Sequence, residues 1–164
     1  MRILCGIAIV TLGLSAACAS RSDAPITTGS GSPASTAGAQ AAARLTPQDL
    51  EARMKNIGTT SQAMRMHLMA NQLADAVKES QQLAVWFGDV EQFWAQNNKA
   101  DAVKWAQDAR TFATAVAGAA TAGDAMKATQ AANNMQGSCK QCHGTYREMD
   151  PAGGFRIKPG VLTP

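Results

Sequence analysis

Residues 46–68 read TPQDLEARMKNIGTTSQAMRMHL, and they set the class of fold. Thr46 as the N-cap, Pro47 at the first helical position and Asp49 in the first turn are typical of a helix start. Apolar or small residues then recur at alternating four- and three-residue steps, at Leu50, Met54, Ile57, Ser61, Met64 and Leu68. This spacing predicts one amphipathic helix that buries a single face.

Three more stretches repeat this spacing further along the chain. The second stripe is Leu73, Val77, Ser80, Leu83 and Phe87, and the third is Trp105, Ala109, Phe112, Val116 and Ala119. Gly123-Asp124 interrupts the pattern, and the fourth stripe is Ala128, Ala132, Met135, Cys139 and Cys142. With no strand-like alternation, the stripes predict an all-α chain, an antiparallel up-down four-helix bundle. The stretch between Gly88 and Asn98 either extends the second helix or forms a loop.

The beginning of the chain has the composition of an export signal, which we assign to residues 1–19. Arg2 supplies the positive start, and the apolar run from Ile3 to Ala17 is too short to span a bilayer. The end of the run resembles a bacterial lipobox, in which lipid would be attached to Cys18. The alternative is ordinary cleavage after the small-residue trio that ends at Ala19. Either outcome predicts a periplasmic protein, and the first predicts a membrane-anchored lipoprotein.

The remainder divides by composition. Residues 20–44 are rich in Ser, Gly, Ala, Thr and Pro and are predicted to be a flexible linker. Residues 45–150 hold the four predicted helices, and residues 151–164 are predicted to be an irregular, non-helical tail. Aromatic residues make up 5% of the chain and alanine is abundant, so the bundle has little side-chain bulk to fill its centre. The net charge of +3 comes without a basic run, which argues against nucleic-acid binding.

One motif carries recognisable chemistry, Cys139-Lys140-Gln141-Cys142-His143. C-x-x-C-H is the haem-attachment sequence of c-type cytochromes. Helix positions three and four apart share a face, so both thiols can reach one porphyrin edge while His143 ligates the iron. A redox-active cysteine pair would leave the histidine unexplained. A zinc site would need a fourth ligand, and His67 is the only other histidine.

Bundle topology predicts what faces the other side of the iron. In an up-down bundle the start of the first helix lies beside the end of the fourth, so Met54 and His143 meet at the same end. Met54 then either ligates the iron or is a buried core methionine. Met64, Met66 and Met69 are expected to fill the core, and His67 lies off the face of Met54. The scarce aromatic residues are expected around the haem at this end, namely Trp86, Phe87, Phe93, Trp94 and Trp105.

Over residues 45–147 the chain resembles the cytochrome c′ family, the class II c-type cytochromes. The resemblance rests on the haem motif near the C-terminus followed by Tyr146-Arg147-Glu148, on Ala122-Gly123-Asp124 before the last helix, and on Trp105 with Phe112. The tail from Pro151 to Pro159 resembles that of a subset of these proteins. The resemblance implies a four-helix bundle that encloses one covalently bound haem c.

The family divides according to the residue opposite the histidine. Met54-Lys55 with Gly58 resembles the methionine segment of the low-spin members, which carry electrons, so the resemblance implies Met54 as the sixth iron ligand. It also implies that Arg147 approaches a haem propionate. The expected function is single-electron transfer without enzymatic turnover. The expected partners are redox proteins, and a respiratory or photosynthetic membrane complex is a further candidate. Dimers are common in the family, so a homodimer is also a candidate. The alternatives are a five-coordinate protein that binds nitric oxide or carbon monoxide, and a haem-relay subunit of a larger complex.

Overall fold

The protein is described by a computed structural model that covers residues 44–162. This part of the chain is mostly helical, with α1 (Pro47–Met69), α2 (Leu73–Gln96), α3 (Ala100–Thr121), α4 (Ala125–Tyr146), β1 (Arg147–Met149) and β2 (Phe155–Ile157). Within it, no helix has the length and apolar character needed to cross a membrane. The predicted signal, Cys18 and all but the last residue of the predicted linker lie outside the described residues.

The first helix begins as its sequence predicts. The Thr46 hydroxyl accepts a hydrogen bond from the backbone N–H of Asp49, and the Asp49 carboxylate accepts one from the backbone N–H of Thr46. This reciprocal pair satisfies two donors that a helix start would otherwise leave free. The three connections between helices each contain a residue with a left-handed backbone, Asn71, Asn98 and Gly123. Glycine and asparagine tolerate this conformation best, and it ends each helix sharply.

The undecided stretch after Gly88 is helical. It continues α2 to Gln96, because its apolar residues keep the helical spacing and no proline interrupts them. Val90, Phe93 and Trp94 are all buried, and Phe93 is the largest fully buried side chain of the described residues. The end of α2 is therefore one of the bulkiest parts of an otherwise alanine-rich core.

The four helices pack against each other around a shared core. The buried face of α3 is almost entirely alanine, with Ala102, Ala106, Ala109, Ala113, Val116, Ala117 and Ala120. Such small side chains let neighbouring helices approach closely, and α3 has extensive contacts with both α2 and α4. Contact between α1 and α4 is sparse by comparison. The helices consequently leave a gap on the side where α1 faces α4.

The C-terminal tail forms part of a β-hairpin, which the sequence did not indicate. β1 and β2 pair antiparallel, with Glu148 opposite Arg156, and the Arg156 Nε donates to Glu148 Oε1 at 2.8 Å. Gly153 and Gly154 supply the positive φ angles of the intervening turn. Strands of three residues are too short to produce a recognisable alternation, so only the tail's non-helical character was predictable.

Candidate functional site

The three chemical groups of the C-x-x-C-H motif lie on one face of α4. Asp124 is the N-cap of this helix, where its carboxylate accepts from the backbone N–H of Lys127, and the helix runs without a break to Tyr146. Cys139, Cys142 and His143 are each half-buried, and all three line the same cavity. Their separations of three and four residues account for this shared direction.

The cavity is the space between α1 and α4, and its volume is about 530 Å³. Cofactor and ligand pockets commonly have volumes of about 300–1,000 Å³. α1 contributes Met54, Ile57 and Gly58, while α3 contributes a wall of small alanines. The lining is mostly apolar and carries two thiols, one imidazole and four thioethers, those of Met54, Met66, Met69 and Met135. A flat apolar cofactor with a central iron fits this donor set, because thiols attach it and imidazole and thioether ligate iron.

Among the predicted aromatic residues, the structure separates those near the cavity from those behind it. Phe87 and Trp105 line the cavity. Phe93 and Trp94 are buried in the core, where their rings meet edge to face with centroids 5.1 Å apart. Trp86 lies outside the cavity, with the Arg53 guanidinium 5.5 Å from its ring centroid. Sequence reasoning placed all five together because it located only their end of the bundle, not the direction of each side chain.

The two thiols are electrostatically unlike those of a redox-active pair. Burial raises the pKa of Cys139, and burial together with the nearby Cys139 and Asp101 raises the pKa of Cys142 to about 12. Redox-active C-x-x-C pairs instead have a lowered cysteine pKa and often sit at a helix N-terminus. Here both cysteines lie near the C-terminal end of α4 and are not disulfide-bonded. The environment therefore favours protonated, weakly reactive thiols.

His143 is kept in the form that can bind a metal. Burial lowers its pKa, with a smaller effect from the positive charge of Arg147. The imidazole is consequently neutral at pH 7 and has a free lone pair on one nitrogen. Among residues 44–162, no cluster of three or more His, Cys, Asp or Glu side chains is arranged to hold a metal ion. A structural zinc site of the usual four-ligand type is therefore not assembled by this part of the chain.

Tyr146, three residues after His143, fixes the end of α4 to α2 and α3. Its hydroxyl donates to Asp101 Oδ1 at 2.6 Å. Its ring centroid lies 4.9 Å from that of Trp94 and 6.2 Å from that of Trp105. The motif alone gave no sign of this anchor, since Asp101 is forty-five residues away in the sequence.

The hydrogen bond between Tyr146 and Asp101 makes the stability of the folded protein depend on pH. It lowers the pKa of Asp101 below its usual 3.8, so the bond stabilises the folded state while Asp101 is ionised. This stabilisation is lost as the pH falls and the carboxylate is protonated. The bond raises the pKa of Tyr146 from 10 to about 12, a stabilisation lost as pH rises from about 10 to 12. We expect Tyr146→Phe to cost about 1 kcal/mol of unfolding free energy at neutral pH, since Asp101 is solvent-exposed.

Thermal unfolding between pH 3 and pH 11 measures this effect. The variant should have a flatter stability profile at both extremes, while its ring still packs on the tryptophans. Asp108→Asn is the control and should leave the alkaline limb unchanged, because it removes a partly exposed carboxylate whose one salt bridge within residues 44–162 is to Lys104 on the same helix. Identical alkaline limbs in Tyr146→Phe and the unsubstituted protein would contradict the prediction.

Arg147 and Lys140 are exposed residues close to His143, and Lys140 also lines the larger cavity. They border a separate, open hollow of about 370 Å³, which also touches His143, Gly144 and Phe155. The Arg147 guanidinium lies 3.8 Å from the centroid of the Phe155 ring, so the hairpin positions it. Arg147 does not line the larger cavity. Its predicted approach to a haem propionate remains a prediction.

The other methionines of α1 behave differently from one another. Met64 is fully buried, as expected of a core residue. The expectation is wrong for Met66 and Met69, which are 61% and 86% exposed and border the far end of the cavity. The α1 stripe could not distinguish them, because only the gap beside α4 leaves that face uncovered. Met135, a buried residue of α4, also lines the cavity and was not singled out from the sequence.

His67 takes no part in the site. Its Nδ1 lies 2.9 Å from Glu79 Oε2, where the end of α1 meets the start of α2. It does not line the cavity, in agreement with its predicted position off the face of Met54.

Comparisons of the chain with protein-family models, with curated proteins and with solved structures find no match. The nature of the site follows from its own residues. Two protonated thiols and a neutral imidazole on one helix share an apolar cavity with a thioether from another helix.

Proposed function

We propose that the protein is an exported monohaem c-type cytochrome that carries single electrons. Cys139 and Cys142 attach the haem covalently, and His143 and Met54 bind its iron from opposite sides. The single observation that carries the proposal is that these four residues line one cavity, although α1 and α4 are far apart in the sequence. The haem supplies an iron centre that accepts and releases one electron at a time.

The chain's own residues suit this role in three ways. Ile57, Phe87 and Ala109 give the cavity an apolar wall, which suits an apolar cofactor better than water. The neutral imidazole of His143 requires no deprotonation before it binds iron. A methionine opposite a histidine favours the reduced state and raises the reduction potential relative to harder ligands.

We also infer an antiparallel up-down bundle around the haem. Connections of about three residues favour antiparallel neighbours. Two contacts between helices support this arrangement. Tyr146, at the end of α4, bonds Asp101 at the start of α3. Arg65, near the end of α1, donates to Asn133 in the first half of α4 and to Gln136 at its middle.

The proposed partners are redox proteins, and the proposed location is the periplasm, with a lipid on Cys18 as membrane anchor. A respiratory or photosynthetic complex and a second copy of the chain are further candidate partners. Lys140 and Arg147 are exposed and form no salt bridge within residues 44–162, so they are free to steer an acidic partner. Mass spectrometry of the mature N-terminus tests the lipid on Cys18.

The decisive experiment is the absorption spectrum of the protein matured in a host that attaches haem c. We expect a reduced-minus-oxidised spectrum of the low-spin type that carbon monoxide leaves unchanged. A five-coordinate reduced spectrum that responds to carbon monoxide would instead favour the gas-binding alternative. A colourless protein without the added mass of one haem would overturn the haem assignment altogether.

A further inference from the structure

The last turn of α4 receives an unusual cap from the C-terminal tail. A helix ends with four backbone carbonyls that lack partners within the helix. Here the His143 carbonyl accepts from the backbone N–H of Arg147. Lys158 satisfies the other three. Its Nζ donates to the carbonyls of Gly144 at 3.1 Å and Thr145 at 2.7 Å, and its backbone N–H donates to that of Tyr146 at 2.9 Å.

The tail holds Lys158 in place for this contact. Ile157, immediately before it, pairs with Arg147 in the hairpin and packs against the core. Val161 and Leu162, just after it, also pack against the core. The ammonium group lies at the negative end of the helix dipole, so charge and hydrogen bonding favour the same position.

This cap acts on the helical turn that carries His143. Metal-binding histidines usually donate their second ring nitrogen to a carboxylate, a carbonyl or water, which fixes the ring. Within residues 44–162 no hydrogen bond reaches the His143 ring, and His143 lines both the large cavity and the open hollow. Its orientation therefore depends on packing and on the backbone of its own helical turn, with no side-chain hydrogen bond among the described residues to fix it.

We propose that Lys158 is a positioning residue for His143. By tying three carbonyls of the last turn to the tail, it keeps the imidazole directed at the iron, while Tyr146 fixes the same turn to α2 and α3. The proposal rests on the proposed function, because it assumes that His143 binds haem iron. It adds that residues beyond the haem motif, in the C-terminal hairpin, control the geometry of that ligand.

The test compares Lys158→Met, which keeps most of the side-chain length but removes the two Nζ hydrogen bonds and leaves the backbone one, with Lys158→Arg, which keeps a charged donor. Lys158→Gln is measured as well, because it is the milder change should the methionine variant fold poorly. Lys104→Ala is the control, since Lys104 is an exposed lysine of α3 whose one salt bridge in the described part of the chain is to Asp108. All are prepared as the holoprotein.

Three measurements separate positioning from a general loss of stability. In Lys158→Met we expect a melting temperature about 5 °C lower and amide exchange in the last turn of α4 about tenfold faster. We also expect a shift of the His143 ring resonances in the NMR spectrum of the oxidised protein. Lys158→Arg should restore all three, and Lys104→Ala should change none.

His143 resonances that stay unchanged in both Lys158→Met and Lys158→Gln would overturn the proposal, even with a lower melting temperature. The same holds if Lys158→Arg fails to restore them. Absence of covalent haem from the unsubstituted protein is a different result, because it rejects the proposed function before any variant is compared.

Discussion

A chain in which Cys139 and Cys142 are both alanine should contain no covalently bound haem. The two thiols are the attachment groups that the cavity offers on α4, and the rest of its lining is largely apolar. Haem that enters the cavity of the variant would be held only by ligation and burial. We therefore expect complete loss of the haem mass from the denatured chain, measured by intact mass spectrometry and by absorption after unfolding.

The matched control is the double variant Lys140→Ala and Gln141→Ala, which changes the two exposed residues between the cysteines. Because neither residue supplies a thiol, this variant should retain one covalent haem per chain. The prediction fails if the cysteine variant keeps covalent haem, or if the control loses it to the same extent.

Met54→Ala should convert a low-spin iron into one with an open sixth position. Met54 is half-buried on α1 and shares the cavity with His143, so its thioether is the proposed ligand opposite the imidazole. Alanine at this position leaves space beside the iron for a small external ligand. We expect the reduced protein to become five-coordinate and to bind carbon monoxide, and its reduction potential to fall by on the order of 0.1 V.

Absorption spectra with and without carbon monoxide, together with a redox titration, measure both effects. The controls are Met66→Ala and Met69→Ala, which remove the exposed methionines at the far end of the same cavity. Met135→Ala tests the buried methionine of α4. If one of these three variants, and not Met54→Ala, opened the iron to carbon monoxide, the assignment of Met54 would be wrong.

The helices were predictable because their signals are local. The cap formed by Thr46 and Asp49 and the four-and-three spacing after it define α1 within its own sequence. The same spacing predicted α3 and α4. The extent of α2 was left open, since the stretch after Gly88 contains a cluster of aromatic residues compatible with a helix or a loop.

The site was predictable only in part. The motif identified Cys139, Cys142 and His143 because their chemistry and spacing are contained in five residues. Met66 and Met69 were misassigned to the core, since a periodic stripe does not reveal which face a neighbouring helix leaves uncovered. The bond between Tyr146 and Asp101 was not foreseen, because nothing in either residue's surroundings in the sequence indicates the other.

By itself, then, the sequence determined the helical periods, the start of α1, the interruption before α4 and the groups that could attach a cofactor, because these depend on residues within a few positions of one another. The tertiary structure decided which residues share a cavity, such as Met54 and His143, and which distant residue completes the end of α4. These features depend on contacts between segments far apart in the chain. Such contacts form only when the buried faces of all four helices pack together, so no local sequence pattern encodes them.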